Sequence, residues 1–290
     1  MPTFDTPVPV TVDLDLPVGD IRIIAGDRTD TSVDVRPTDP AKKGDVTAAE
    51  QTRVEFTDGR LLIKAPKGWR QLRGGGDSID VEIGLPSGSH IRGQAGVAAL
   101  HSRGRLGECR YRNGMGEIQL DEAGSVQLKS GAGDITVERV NGHAEITTGT
   151  GTLRLGRIDG TAAVKNSNGD TSIRDVTGDV RVSAANGSIA IDQAHGTVAA
   201  KTAMGDIRVG EAVRGSVVAE SGYGKVEVGV REGVAAWLDL NTRFGNLDND
   251  LADGRRPEPG EDAVEVRART GFGDITIRRS YAGQTGKGAT

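Results

Sequence analysis

The chain has almost no cysteine, few aromatic residues and no long apolar run. One cysteine, Cys109, among 290 residues excludes an intrachain disulfide and fits a reducing cytoplasm. Its plain reading is a small core residue. Two Trp, three Tyr and four Phe leave a core that has to be thin and aliphatic. No apolar stretch is long enough to cross a bilayer as a helix. Met1-Pro2-Thr3-Phe4-Asp5 opens without the basic and apolar regions of a secretory leader, so a cytoplasmic location is expected. Neither sign of charge dominates: 36 basic against 41 acidic side chains leave a net charge of −5. That balance implies solubility, and no nucleic-acid or membrane partner. No window carries a helical apolar period of useful length.

Glycine, by contrast, is abundant: 43 residues, arranged in a pattern. Gly114-Met115-Gly116-Glu117-Ile118-Gln119-Leu120 returns as Gly131-Ala132-Gly133-Asp134-Ile135-Thr136-Val137 and as Gly149-Thr150-Gly151-Thr152-Leu153-Arg154-Leu155. The second glycine falls at 116, 133, 151, 169, 187, 205 and 224, in steps of 17, 18, 18, 18, 18 and 19. A fixed step of this size marks a repeat architecture. Stacked on this marker, the copies show apolar files. Two places after it stand Ile118, Ile135, Leu153, Thr171, Ile189, Ile207 and Val226; five before it stand Tyr111, Leu128, Ile146, Val164, Val182, Ala200 and Ala219. Between them lie polar files such as Arg112, Lys129, Thr147, Lys165, Ser183, Lys201 and Glu220. Alternation of period two means two short strands per copy, each with one wet face.

Each copy carries about five inward apolar side chains, each worth roughly 1.5–3 kcal/mol when buried. Ordering the backbone costs roughly 1–2 kcal/mol per residue. A single copy therefore cannot stand alone, whereas stacked copies share a core. The expected fold is all-β: a parallel β-solenoid with about 18 residues per rung. Right-handed crossovers dominate parallel connections, so a right-handed β-helix is expected, although left-handed coils share this repeat length. Three places before the marker, Asn113, Ser130, Thr148, Asn166, Ala184, Thr202 and Ser221 can bond rung to rung. Inward Thr171 needs a partner, the backbone or Asn168.

Residues 1–90 read as a β-rich N-terminal cap that covers the first rung, because an open solenoid end invites polymerisation. Gly19-Asp20-Ile21-Arg22-Ile23 repeats the corner motif there, Asp58-Gly59 signals a hairpin, and Asp45 to Thr52 reads as a short helix capped by Asp45. Residues 91–280 read as the solenoid, with a loop inserted near 249–262 between the markers Gly245 and Gly273. Gly271-Phe272-Gly273-Asp274-Ile275-Thr276-Ile277 is expected to close the array, and 281–290 to be a disordered tail.

The Gly19-Asp20-Ile21-Arg22-Ile23 opening, the Gly-x-Gly-Asp-Ile-x-Val units and the final Gly271 to Ile277 unit resemble the bacterial β-strand-repeat family labelled "putative adhesin", a domain of unknown function. The resemblance spans nearly the whole chain and implies a β-solenoid without catalytic residues. The adhesin label implies a surface location, from which the missing export signal departs. A weaker similarity is to bactofilin-type solenoids.

Chemistry finds little foothold. Asp134, Asp170, Asp206 and Asp274 follow the marker glycine directly, but Thr152, Ser188 and Lys225 interrupt that file, so a calcium ladder would lose ligands. The acids occupy alternate rungs, as do Lys129, Lys165 and Lys201, which keeps like charges apart. A polysaccharide site needs clustered carboxylates and aromatic platforms. Tyr111 points inward, Tyr223 lies at a corner, and Glu138, Asp175 and Asp192 are mixed with Arg139, Arg157 and Arg174. The histidines 90, 101, 143 and 195 share no file, which argues against a metal set or triad. Lys64, Lys67, Trp69, Arg70 and Arg73 form a basic loop that reads as solvated. The sequence thus names no catalytic, cofactor-binding or metal residue. The expected function is a non-enzymatic structural or protein-interaction scaffold, with an unknown protein partner or self-association. The alternative is a carbohydrate-binding or carbohydrate-cleaving β-helix.

Overall fold

The computed structural model describes residues 2–66, 77–251 and 263–280. Lys67, Trp69, Arg70 and Arg73 of the basic loop, most of the expected insertion and the tail lie outside the described residues. The chain forms two compact units, Met1–Gly151 and Thr152–Thr290. Each is a β-solenoid whose neighbouring coils run parallel.

In the second unit, the strand Val180–Asn186 lies between Ala162–Asn168 and Val198–Met204. Register sets Ala162, Val180, Val198 and Val217 one above the next. Past the corner, Leu153, Thr171, Ile189, Ile207 and Val226 form the second file. The apolar members of both files are buried. The offset between neighbouring coils is 18 residues at Ala194–Ala212 and 19 at Val198–Val217, so the extra residue of the longer repeat lies between Ala212 and Val217; the offset returns to 18 through a register shift between Val209 and Ala212.

The marker glycines 116, 133, 151, 169, 187, 205, 224 and 273 bend the chain at their corners with φ between 128° and 148°, a region that L-residues rarely adopt; Gly245, in the outermost coil, does not share it. A Cβ on Gly187 would lie 2.2 Å from the Gly169 carbonyl oxygen of the neighbouring coil. Glycine is therefore required twice over, for torsion and for close approach.

The end of this unit corrects the sequence reading. Ala263–Phe272 pairs with Gly215–Tyr223 on one side and with Ala235–Phe244 on the other. Ile275–Ser280 likewise lies between Val226–Arg231 and Leu247–Asn249. The coil latest in sequence is slotted between two earlier ones, and the coil 235–249 is outermost. The side chains give the reason. Val264, Val266, Ala268, Ile275 and Ile277 are all apolar and fully buried. The matching positions of the outer coil are Ala236, Leu238, Leu240, Leu247 and Asn249. Asn249 would be a costly residue between two coils and is cheap at an end.

In the first unit, Thr11–Gly26 is a full coil. It lies between the long strand His90–Met115, with Val12 on Ile91 and Ile21 on Leu100, and the pair Arg60–Lys64 and Ile79–Pro86, with Val12 on Leu61 and Ile21 on Val81. Part of the region read as a cap is thus solenoid. Closure comes from antiparallel strands: Arg53–Thr57 on Arg60–Lys64, Asp30–Pro37 on Ile79–Pro86, and Thr3–Asp5 on Asp30–Pro37. Asp58 and Gly59, at φ 49° and 73°, make the expected tight hairpin. Gly93 sits opposite Leu14, and the ring of Tyr111 leans over it: a Cβ there would be 3.1 Å from Tyr111 Cδ2.

The expected helix exists as Lys43–Gln51, but Asp45 does not cap it. Asp45 lies buried in the first turn. Its carboxylate accepts the Ser78 and Asp39 backbone N–H groups at 3.1 and 3.2 Å and pairs with Lys42 Nζ at 2.8 Å. Burial alone would raise its pKa; the Lys42 contact and the two N–H groups outweigh that and hold it below the usual carboxylate value. It ties the helix to the sheet.

Candidate interaction surfaces

The corner aspartates hold coils together. Asp170 Oδ1 accepts the Ser188 backbone N–H at 2.8 Å, Asp206 Oδ1 that of Lys225 at 2.7 Å, and Asp274 Oδ1 that of Asn246 at 2.9 Å. Each carboxylate spans one coil step and binds a backbone donor. Their place after the marker glycine is explained by this stitch, without a cation. Among the described residues no group of three or more His, Cys, Asp or Glu is arranged to hold a metal.

The file three places before the marker bonds rung to rung in part, and the buried Ser130 hydroxyl has no partner among the described residues. Thr202, Ser221, Thr270 and Thr242 donate to the carbonyls of Gly187, Gly205, Gly224 and Gly273, at 3.1, 2.9, 2.9 and 2.9 Å. Asn113 donates both to Gly116 in its own coil and to Ala98 in the coil before, at 2.9 and 3.2 Å, and Asn166 donates to Gly169 in its own coil at 2.8 Å. Thr171 is 3.5 Å from the amide nitrogen of Asn166, not from Asn168.

The charged faces are largely paired internally. In the second unit Lys165 faces Ser183, Ser183 faces Lys201, and Lys201 Nζ reaches Glu220 Oε2 at 2.9 Å. In the first unit the spacing fails, since Arg112 faces Lys129. Arg157 lies 3.4 Å from Asp175, and His195 Nε2 lies 3.2 Å from the other Asp175 oxygen without hydrogen-bond geometry. Arg157 and Asp175 thus form an ion pair from coil to coil, with His195 beside the same carboxylate. His90 Nδ1 accepts the Glu108 N–H, and His101 meets Gln119, so these histidines also join coils. A shallow groove of about 430 Å³ in the first unit is lined by Asp13, Asp15, Arg92, Arg110, Arg112 and Tyr111. Asp13 is paired with Arg60 and Arg110 with Glu108, while Asp15 accepts from the neutral Gln94, so the groove holds charges of both signs.

Cys109 and Tyr111 are fully buried. Burial, with the Glu108 charge second, pushes the Cys109 thiol up to about 12. Burial likewise raises the Tyr111 phenol. Neither is a nucleophile or platform at neutral pH.

One surface in the second unit stands apart. Beside the corner, Met204, Tyr223, Phe272 and Phe244 succeed one another from coil to coil. Tyr223 stacks on Phe272 with centroids 4.8 Å apart and planes 1° apart; Phe244 stacks on Phe272 at 4.8 Å and 10°. The interval is the strand spacing itself. All four side chains are exposed. They form a contiguous apolar ridge on a protein short of aromatics. The sequence marks Tyr223 but hides the ridge, because Phe244 and Phe272 become neighbours of the file only once the coil order is known.

The family model described as Toastrack DUF4097 matches residues 11–278. Among curated proteins, none matches the chain. A crystal structure of a "putative cell adhesion protein" from Clostridium sporogenes is 13% identical, covers 96% of this chain and 98% of its own, and has a TM-score of 0.23. A "putative adhesin" from Bacteroides fragilis is 15% identical, covers 95% of each chain and has a TM-score of 0.36. Among the described residues no helix is long and apolar enough to cross a membrane.

Proposed function

Because the chain belongs to the Toastrack DUF4097 family, in keeping with the repeat resemblance, we propose that it is a non-enzymatic interaction scaffold whose second unit presents a rigid apolar ridge to a protein partner. The observation that carries this reading is the exposed ladder Met204, Tyr223, Phe272 and Phe244. Exposing four apolar side chains in a row costs solubility, and a partner that covers them recovers the burial energy, about 25 cal/mol per Å². Stacked rings are already ordered, so little side-chain entropy is lost on docking. The cytoplasmic location read from the sequence is part of the proposal, and cell fractionation tests it.

The carbohydrate alternative is less well supported. A sugar platform needs broad open ring faces, and here Phe272 carries a ring on each face while Tyr223 and Phe244 are each covered on one face, so the ridge offers mainly ring edges.

The test compares wild type with the double variant Tyr223→Ser, Phe272→Ser by in-cell crosslinking and mass spectrometry, alongside a glycan array. A protein crosslinked to wild type and lost with the variant supports the reading. Identical crosslink sets, or glycan binding that disappears with the variant, would overturn it.

A further inference from the structure

The coil 235–249 ends the second unit, and among the described residues nothing pairs with the outer edge of its strand Ala235–Phe244. The change from buried to open is abrupt. Val266 and Ala268 are fully buried, whereas Leu238 and Leu240 on the next strand out are half-buried. Ile275 is fully buried, whereas Leu247 is 52% exposed. Proteins usually blunt an open edge with short strands, proline, bulges or an inward charge. Ala235–Phe244 runs for 10 residues, without proline, and its inward positions Ala236, Leu238, Leu240 and Thr242 carry no charge. The partner strand of this coil, Leu247–Asn249, has 3 residues, of which Asp248 and Asn249 are polar. Only one strand of the coil is suited to pairing.

The outward positions of that strand are Trp237, Asp239, Asn241 and Arg243. Asp239 and Arg243 lie two places either side of Asn241. A strand of this kind is complementary to itself when reversed. With Asn241 opposite Asn241 of a second copy, each Asp239 faces an Arg243, twice per pair, and Leu240 faces Thr242 on the inner side. In-register parallel stacking would instead set Asp239 on Asp239. Arg243 has no ion pair among the described residues, and Asp239 holds only a loose 3.4 Å contact with Arg269.

We propose that Ala235–Phe244 pairs antiparallel with the same strand of a second copy, making a two-fold dimer. Such a pairing is isologous and closes, so it consumes the open edge without starting a fibre. It goes beyond the ridge reading, because its partner is this chain itself and its contacts are edge hydrogen bonds and the Asp239–Arg243 pairs.

The test is sedimentation velocity of the full chain over a concentration series, with Arg243→Asp and Asp239→Arg alone and mixed in equal amounts. Wild type is expected to dimerise. Each single variant sets like charges opposite each other at two places and is expected to dimerise about tenfold or more weakly. The mixture restores both pairs and is expected to recover a heterodimer. A wild type that stays monomeric throughout, single variants that associate as wild type does, or a mixture no better than its parts would each overturn the proposal. So would a monomer that dimerises only after residues 281–290 are removed, since the tail would then occupy the edge. The ridge is untouched by these variants, so their outcome is separate from that of the crosslinking experiment.

Discussion

Replacing Gly187 with alanine tests the corner geometry most directly. Gly187 has φ 133°, and its missing side chain faces the Gly169 carbonyl oxygen at 2.2 Å. Two costs follow. Holding an L-residue in that torsion region costs about 1–3 kcal/mol. Forcing the coils apart to relieve the overlap costs about 1–3 kcal/mol more. The expected loss is about 2–6 kcal/mol, which at a urea slope of roughly 3 kcal/mol/M moves the midpoint down by about 0.7–2 M. Gly26 supplies the control, because a Cβ there meets nothing within 4 Å and its φ is not in the positive region. Gly26→Ala is expected to change stability by less than about 0.5 kcal/mol. Equilibrium urea unfolding followed by far-UV circular dichroism and by hydrogen exchange at Ile189 and Ile207 reads both. If Gly187→Ala unfolds within about 0.5 kcal/mol of wild type, the close approach of coils at the marker glycine is wrong, and with it the explanation of the 18-residue phase.

Two further outcomes are expected. Asp206→Ala removes the acceptor for the Lys225 N–H and should cost about 0.5–1.5 kcal/mol, while Asp206→Asn, which keeps a carbonyl oxygen, costs less; faster exchange of the Lys225 amide in the alanine variant alone would identify the lost bond. Cys109 should resist thiol reagents at pH 8 until the first unit unfolds. Its thiol is neutral when folded up to about 12 but ionises from about 9 once unfolded, so the folded state binds the extra proton between those values and stability falls as pH rises through that window. Rapid labelling of native protein, or flat stability from pH 9 to 11, would contradict the buried site.

The repeat files announce which residues face inward, because a period of two cannot slip without turning apolar side chains to water. That is why Val180, Ile189, Val198 and Ile207 stack as their spacing requires. The spacing does not say which coil neighbours which. Gly245 and Gly273 carry the same phase, and only the polar Asn249 hints that its coil lies at an end. Thr11–Gly26 is not legible as a coil for the same reason: its neighbours lie far along the chain, at 60–64, 79–86 and 90–103. Asp45 carries the right residue type for a cap, and its bonds to Ser78 and Asp39 are tertiary, beyond any local signal. The aromatic ridge was hidden behind the coil order as well.

The slotted coil has a consequence for synthesis on the ribosome. Most coils can dock on the one before as they emerge. Residues 235–249 emerge before residues 263–280, yet in the finished protein they rest on them and not on 215–231. The last two coils therefore cannot settle one at a time. The earlier one must wait, or lie provisionally on a surface it later yields, until residues 263–280 have emerged.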